Sequence, residues 1–331
     1  MMIPQIDISA FLSGDEARRK EVVEQWGSAF ETIGFATIVG HSVPEALIED
    51  LHAEAQRFFD QPLEVKRRCV HPAEVDTRGF AELGTEALAA TLNADAPPTP
   101  PDYCEKLTFN YIDWEPTGPT NDLDSQVFRP NLWPEEPPQL RALIESYFDQ
   151  VTVLARTLMR IGALALDLPE DFFVPYYARM TTQLALVDYP DQNPPPLPGQ
   201  VRSGAHVDYL GFTILRQDNA PGGLQVQLPD GGWIDVAPVP HAFVINAGEL
   251  LSRWTNGRWK SNVHRVVNPP LNLERSARRL SIALFTGPNH DSMIECLPTC
   301  RSQEMPPKYA PVRAWDHFME KVRASKIAGT Y

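Results

Sequence analysis

Hydrophobic residues near the start of the chain recur at the spacing of an amphipathic helix. Within residues 15–33 the apolar positions are three or four apart, which places them on one helical face: Val22, Trp26, Phe30 and Ile33. Ser13 and Glu16 have the spacing of a capping box just before this segment. The pattern therefore predicts a helix that begins close to residue 15.

Three more segments of the first half have a clear pattern. Helical spacing predicts a second helix over 44–59 and a long one over 138–166, and GFATIVG at 34–40 predicts a short strand. Residues 71–135 contain few periodic runs, so we expect mostly loops there. Loops of this kind often carry the residues that select a substrate.

After residue 166 the hydrophobic period changes from about 3.6 to about 2. The runs that predict short strands are separated by Gly, Pro and Asn: TTQLALVDY, LQVQL, GWIDVAPV, AFVINAG and LSIALFTG. Many short strands at near-regular spacing indicate a sandwich or barrel. The sequence thus predicts a mainly β fold with flanking helices, the helices of the first half packing on a β core in the second.

Charge and composition narrow the choice of partner and compartment. Twenty-nine Lys and Arg against 43 Asp and Glu give a net charge of −14, which disfavours nucleic acid as a partner. No apolar run approaches the length of a membrane helix, and the N-terminus lacks the pattern of a secretory signal. The four cysteines include no C-x-x-C pair and form no dense scaffold, as suits a reducing compartment. We therefore expect a cytoplasmic enzyme without a membrane partner.

The second half also contains candidate metal ligands. His206 and Asp208 are two positions apart on a predicted strand, so their side chains point to the same face. A surface ion pair would give the same local pattern. A third candidate, His264, follows in another strand-like segment, and two His with one carboxylate form the facial triad of non-haem Fe(II) oxygenases.

Several motifs in order resemble the isopenicillin N synthase-like branch of the Fe(II)- and 2-oxoglutarate-dependent dioxygenases. The N-terminal region is similar in IPQIDISAF, GFATIVGHSVP and the R-G-F at 78–80; the catalytic region is similar in DYP, GAHVD, GGLQV, INAGELLSRWTNGRWKSNVHRV and RLSIALFTGP. The resemblance implies a double-stranded β-helix, or jelly-roll, core. It also implies that His206, Asp208 and His264 bind Fe(II).

The resemblance assigns the cosubstrate residues as well. Arg279 and Ser281 match the family residues that bind 2-oxoglutarate, and Tyr189 matches a tyrosine that adds a hydrogen bond; a core tyrosine is the alternative. A guanidinium suits this role because it grips a carboxylate through two parallel hydrogen bonds. Two positions depart from the family: an Asn is replaced by Val187, and the Asp of an N-x-G-D turn is Glu249.

The prime substrate is expected to be a small, anionic or amino-acid-like metabolite. In β-lactam-forming relatives an Arg just before a G-[FY] turn anchors a substrate carboxylate, which implies this role for Arg78; an exposed arginine is the alternative. Phe285, in the same segment as Arg279, is the second expected substrate contact. His290 and Asp291 follow this segment, and we expect them at the surface; a place at the mouth of the pocket is the alternative.

The resemblance implies an oxygenase that uses Fe(II), 2-oxoglutarate and O₂ and releases succinate and CO₂. Hydroxylation is the expected outcome, in secondary metabolism, with desaturation and ring formation left open. One alternative is an oxidase of the isopenicillin N synthase type that does not use 2-oxoglutarate; another is a binding protein on an inactive oxygenase scaffold. The sequence leaves the prime substrate and the oligomeric state open.

The chain is expected to divide into four parts. These are an N-terminal dioxygenase region (1–120), a linker with the long helix (121–175), the jelly-roll domain (176–295) and a C-terminal tail with helical potential (296–331).

Overall fold

The computed structural model describes residues 2–72, 76–92, 99–112, 122–270, 273 and 276–326. The α-helices among them are α1 (Ser9–Ser13), α2 (Glu16–Thr32), α3 (Glu45–Phe59), α4 (Leu63–Lys66), α5 (Asp122–Val127), α6 (Leu140–Ala165), α7 (Glu249–Trp254) and α8 (Ala314–Ser325). The three helices and the intervening strand predicted in the first half are confirmed. The C-terminal tail contains α8.

The strands of the described residues belong to two main sheets and one short two-stranded sheet. They are β1 (Gln5–Asp7), β2 (Phe35–Val39), β3 (Gly79–Ala81), β4 (Glu105–Asn110), β5 (Met180–Tyr189), β6 (Ser203–His206), β7 (Phe212–Gln217), β8 (Gly223–Gln227), β9 (Trp233–Asp235), β10 (Phe243–Ala247), β11 (His264–Val267), β12 (Arg279–Asn289), β13 (Met293–Ile294) and β14 (Val312–Arg313). The larger sheet has the order β1-β2-β10-β7-β12-β5-β4-β3, and the smaller has the order β6-β11-β8-β9. The predicted β core is confirmed.

The larger sheet also takes four strands from the first half, which the hydrophobic pattern only partly revealed. β3 and β4 lie within 71–135, where we expected loops, and β4 pairs antiparallel with β5 along six residues, Glu105 to Asn110. Their extended conformation depends on pairing within the sheet, with β5 far away in the sequence, rather than on local periodicity. The two halves of the chain therefore build one sheet.

Helix α6 supports this sheet from behind. It packs against α2 and α3 and against β7, and an aromatic cluster joins these elements at the centre of the core: Trp26, Phe30, Phe212 and Trp259. On β12 the even positions Leu280, Ile282 and Leu284 belong to this core. The odd positions of β12 therefore face the opposite side of the sheet.

The start of α2 differs from the capping box that the sequence suggests. Asp15 is the N-cap, and its side chain accepts a hydrogen bond from the backbone N–H of Arg18. Ser13 instead ends α1, where its hydroxyl donates to the carbonyl of Ala10. The capping-box prediction is wrong because a short preceding helix uses Ser13.

Within the part of the chain that the structure describes, no helix has both the length and the apolar character required to cross a membrane.

Candidate active site

Three ligand-type side chains converge where β6 and β11 meet. His206 ends β6, His264 begins β11, and the two are direct partners in the antiparallel pairing. Asp208 lies after the end of β6, in the loop to β7, so its placement on a strand was wrong although its proximity to His206 was right. The ligand atoms of all three residues lie within 4.8 Å of one another, and all three are buried.

Hydrogen bonds orient each of these side chains. His206 Nδ1 lies 2.7 Å from the carbonyl of Gly204, and His264 Nδ1 lies 3.1 Å from the carbonyl of Asn262. A carbonyl can only accept, so each Nδ1 carries the proton and each Nε2 presents a lone pair. Both Nε2 atoms face Asp208 Oδ1, at 3.7 and 3.6 Å.

Asp208 is held through its other oxygen. The hydroxyl of Thr213 and the side-chain amide of Asn246 each donate to Asp208 Oδ2, both at 2.5 Å. Oδ1 is thereby left for the side facing the histidines. The sequence indicated neither donor, although Asn246 lies in the INAGE segment that also contains Glu249.

For His206 and Asp208 the electrostatics favour the protonation states that bind a metal. Burial, and then the proximity of His264, lower the pKa of His206 to about 3, so this imidazole is neutral at neutral pH. Burial alone would raise the pKa of Asp208, but the two imidazoles and the Thr213 hydroxyl outweigh it and lower the pKa below its usual range. Burial opposes the charge on His264, yet Asp208 outweighs it and raises the pKa of His264. A neutral imidazole and a carboxylate are the forms that coordinate divalent iron, so His264, whose pKa is raised, must release its proton to bind the metal.

A buried guanidinium lies on the neighbouring sheet. Arg279 is 1% exposed; its Nη2 donates to Gln217 Oε1 at 2.6 Å, and its Nη1 lies 3.6 Å from Asp218 Oδ1. Its Nε is buried and has no hydrogen-bond partner in the described part of the chain. A buried donor without an acceptor is costly, so this position suits an incoming carboxylate.

Tyr189 and Ser281 lie beside this arginine. Tyr189 is the direct partner of Arg279 in the β5–β12 pairing, and Ser281 is two positions along β12 on the same face. Burial raises the pKa of Tyr189, so its hydroxyl stays protonated and able to donate. The three residues offer the donors that a dicarboxylic cosubstrate requires.

All eight residues that the sequence singled out line one cavity of about 910 Å³. The predicted iron ligands, the predicted cosubstrate residues, Arg78 and Phe285 share its wall. The cavity is thus large enough for a cosubstrate and a second small molecule together.

Arg78 is buried in this wall rather than exposed, which excludes the surface alternative. Its Nη1 donates to both oxygens of Asp76 at 2.9 Å, and its Nη2 donates to the carbonyl of Val127. Its Nε is buried without a partner among the described residues. Of its five N–H donors, three bond to described residues, so two remain for a ligand.

Other cavity-lining residues gave no signal in the sequence. Glu86, Lys106, Lys326 and Tyr209 belong to this group, and Glu86 and Lys326 are 240 positions apart along the chain. Only the folded chain places them together.

His290 corrects another expectation. It is fully buried, and its Nε2 lies 2.7 Å from Asp124 Oδ1. We expected it at the surface, and this was wrong because Asp124 on α5 provides a buried partner. Asp291 does lie at the surface, with 47% of its side chain exposed.

Two family models match the chain. Residues 3–136 match the model described as non-haem dioxygenase in morphine synthesis N-terminal. Residues 174–288 match the 2OG-Fe(II) oxygenase superfamily.

Full-length relatives and solved structures agree with these models. The 2-oxoglutarate-Fe(II) type oxidoreductase hxnY of Emericella nidulans is 33% identical, covering 95% of this chain and 87% of the relative. A homoarginine-6-hydroxylase of Oryza sativa subsp. japonica is 30% identical, covering 97% and 96%. A full-length Neurospora crassa protein, crystallised in complex with alpha-KG and thymine, is 31% identical; the match covers 97% of this chain and 96% of that one, with a TM-score of 0.83.

Proposed function

Because the chain belongs to the 2OG-Fe(II) oxygenase superfamily, an enzyme family that uses Fe(II), 2-oxoglutarate and O₂, we propose residue roles that follow from its geometry. His206, Asp208 and His264 bind the iron. Arg279, Ser281 and Tyr189 bind 2-oxoglutarate. The observation that carries this proposal is that the triad and the unpartnered Nε of Arg279 lie in the wall of one cavity.

The protein contributes binding, orientation and charge. Iron, when bound with 2-oxoglutarate, supplies the oxidising chemistry, with succinate and CO₂ as co-products. The carbonyls of Gly204 and Asn262 hold the two imidazoles with Nε2 free, and Thr213 and Asn246 hold the carboxylate. Arg279 fixes the far carboxylate of the cosubstrate, which sets the distance of its 2-oxo end from the triad.

The prime substrate of the proposed reaction is a small anionic or amino-acid-like metabolite that is hydroxylated. Arg78 and Phe285 contact it, since both line the cavity that holds the triad. The relatives support a small molecule: one is named for homoarginine, and the Neurospora crassa protein was crystallised with thymine. The oxidase alternative, which would not use 2-oxoglutarate, is not favoured, because the relatives are 2-oxoglutarate enzymes.

We also propose a cytoplasmic location. The four cysteines are free in the structure, as a reducing compartment would keep them.

Cosubstrate binding can be tested with Arg279→Lys. Lysine keeps the charge but loses the fork of parallel donors, so the KM for 2-oxoglutarate should rise while formation of succinate still depends on added 2-oxoglutarate. The matched control is Arg141→Lys, at an exposed position on α6, which should leave that KM unchanged. A KM for 2-oxoglutarate equal to that of the parent in Arg279→Lys would refute the assignment.

A further inference from the structure

A carboxylate lies between two ammonium groups in the cavity wall. Glu86 Oε2 lies 2.6 Å from Lys106 Nζ, and Glu86 Oε1 lies 2.6 Å from Lys326 Nζ. Burial would raise the pKa of Glu86, but the two lysines outweigh it and hold the pKa well below its usual range. All three side chains are therefore charged at neutral pH, two positive and one negative.

The ammonium group of Lys106 has hydrogen-bonding capacity that the protein does not use. It has three N–H donors, and within the described part of the chain the bond to Glu86 is the only hydrogen bond that Lys106 Nζ makes. The side chain is 18% exposed, and it lines the cavity. Two charged donors therefore remain for a ligand in the cavity.

The position of Lys106 connects it with both the proposed cosubstrate residues and the proposed iron ligands. In the larger sheet Lys106 is opposite Val187 on β5, and Val187 is opposite Ser281 on β12. Lys106 is thus in the same row as a proposed cosubstrate residue, two strands away. Its positive charge is felt at His206, on the metal side of the cavity.

Arg78 is less available than Lys106 for an anion. Its guanidinium donates two hydrogen bonds to Asp76 and a third to a backbone carbonyl. Asp76 is shared with Arg129 as Glu86 is shared between two lysines, so the two sites differ in accessibility: the side chain of Arg78 is 2% exposed and that of Lys106 is 18% exposed. A negatively charged group in the cavity can therefore reach Lys106 more readily.

We propose that Lys106, positioned by Glu86, binds a carboxylate of the prime substrate and makes the enzyme selective for carboxylic acids over neutral analogues. This inference rests on the proposed function, in which the cavity holds the prime substrate beside the triad. An ammonium with two unused donors recognises a carboxylate through charge-assisted hydrogen bonds. The −14 net charge of the chain repels anions overall, so a local cation of this kind is what would retain one.

Binding without turnover tests the inference. The protein with Mn²⁺ and saturating 2-oxoglutarate is mixed separately with common L-amino acids and L-homoarginine. Each amino acid is compared with its carboxamide, and thymine is tested as a ligand without a carboxylate. The shift of the thermal unfolding midpoint reports binding. We expect at least one carboxylate to bind and its carboxamide to bind far more weakly. Binding of no carboxylate, or equal binding of acid and amide, would overturn the inference.

Variants identify the residue responsible. For the carboxylate that binds the parent, Lys106→Met should weaken binding roughly tenfold to hundredfold, the value of a charge-assisted hydrogen bond. Lys106→Arg keeps the charge and should retain the preference for acid over amide. This variant tests the inference even if Lys106→Met does not fold. The control Lys20→Met removes an exposed lysine of α2 and should bind as the parent does. Parental binding by a folded Lys106→Met contradicts the inference.

A second measurement separates the prime substrate from the cosubstrate. If Lys106→Met instead weakens 2-oxoglutarate binding tenfold and leaves amino-acid binding at saturating 2-oxoglutarate unchanged, Lys106 binds the cosubstrate carboxylate, and the inference is wrong. The parent enzyme with Fe(II) keeps the two proposals distinct. Succinate release by a parent that binds no carboxylate would contradict only the role of Lys106, whereas no succinate release would contradict the proposed function.

Discussion

The two oxygens of Asp208 have separate tasks. Oδ1 faces both imidazole Nε2 atoms, and Oδ2 accepts from Thr213 and Asn246. The sequence pointed to the three proposed ligands through their residue types and motifs, and the structure places them together. It could not identify Thr213 as a partner, because a threonine on a strand has no distinguishing local pattern. Glu86 and Lys106 were missed for a similar reason, since only the folded chain brings Glu86, Lys106 and Lys326 together.

Thr213→Val should weaken iron binding while preserving the shape of the side chain. The variant leaves Asp208 Oδ2 with one donor, and loss of such an outer partner typically costs about 10–100-fold in metal affinity. Anaerobic Fe(II) titration measures the change. The control Thr157→Val removes a buried hydroxyl that bonds within α6 and should leave the affinity unchanged. Equal affinities for Thr213→Val and the parent would show that the hydroxyl does not support the ligand.

Arg78→Ala should weaken binding of the prime substrate and leave decarboxylation of 2-oxoglutarate without substrate intact. The expected cost is about 1.5–3 kcal/mol, the range for hydrogen bonds to charged groups. Substrate KM and uncoupled succinate formation are the two measurements. The carbonyl of Val127 also loses the Arg78 donor, and Asp76 loses Arg78 but keeps Arg129, so the unfolding free energy is measured alongside. A substrate KM equal to that of the parent would refute the anchor while leaving the iron chemistry untouched.

At the scale of elements, prediction succeeded where one face of an element is buried continuously. α2, α3 and α6 carry hydrophobic residues at helical spacing because each packs one face on the core. β3 and β4 were missed because their neighbours in the sheet, not their own pattern, keep them extended. The cap of α2 was misassigned, although its start was not, because α1 and α2 are separated by only Gly14 and Asp15.

Gly34 lies in the short connection between α2 and β2, where the backbone approaches Lys260 closely. Its φ is +72°, and a Cβ there would lie 2.0 Å from the carbonyl oxygen of Lys260. Gly34→Ala should therefore lower the unfolding free energy by about 2–4 kcal/mol, from backbone strain and overlap together. The control Gly14→Ala has a similar φ of +80° and nothing within 4 Å, so it should cost only about 1 kcal/mol. Urea unfolding compares them, and equal losses would argue against the close contact.

For the whole molecule, stability should depend on pH through a buried carboxyl. Asp102 accepts backbone hydrogen bonds from Gly204 and Leu88, and burial raises its pKa to about 6. An unfolded Asp titrates near about 3.9, so between these values the folded state binds more protons. The contribution of Asp102 to the unfolding free energy is fully present below the unfolded pKa of about 3.9. As the pH rises to about 6, this contribution falls by about 2–3 kcal/mol.

Asp102→Asn removes this titration and should lose less stability than the parent between pH 4 and pH 7. A constant offset is also expected, since the amide nitrogen cannot accept from a backbone N–H. Urea unfolding across this range measures both effects. The control Asp149→Asn, at an exposed position of α6, should follow the parent. Parallel pH profiles for Asp102→Asn and the parent would mean that Asp102 does not titrate in this window.

We propose that one cavity binds iron through His206, Asp208 and His264 and binds 2-oxoglutarate beside it. Anaerobic titration of the protein with Fe(II), followed by 2-oxoglutarate, tests this by visible absorption. We expect the parent to bind a single Fe(II) and 2-oxoglutarate then to produce a weak charge-transfer band, and we expect His264→Ala to lose both. Parental iron affinity in His264→Ala, or iron binding in the parent without the band, would show that these residues do not form the site.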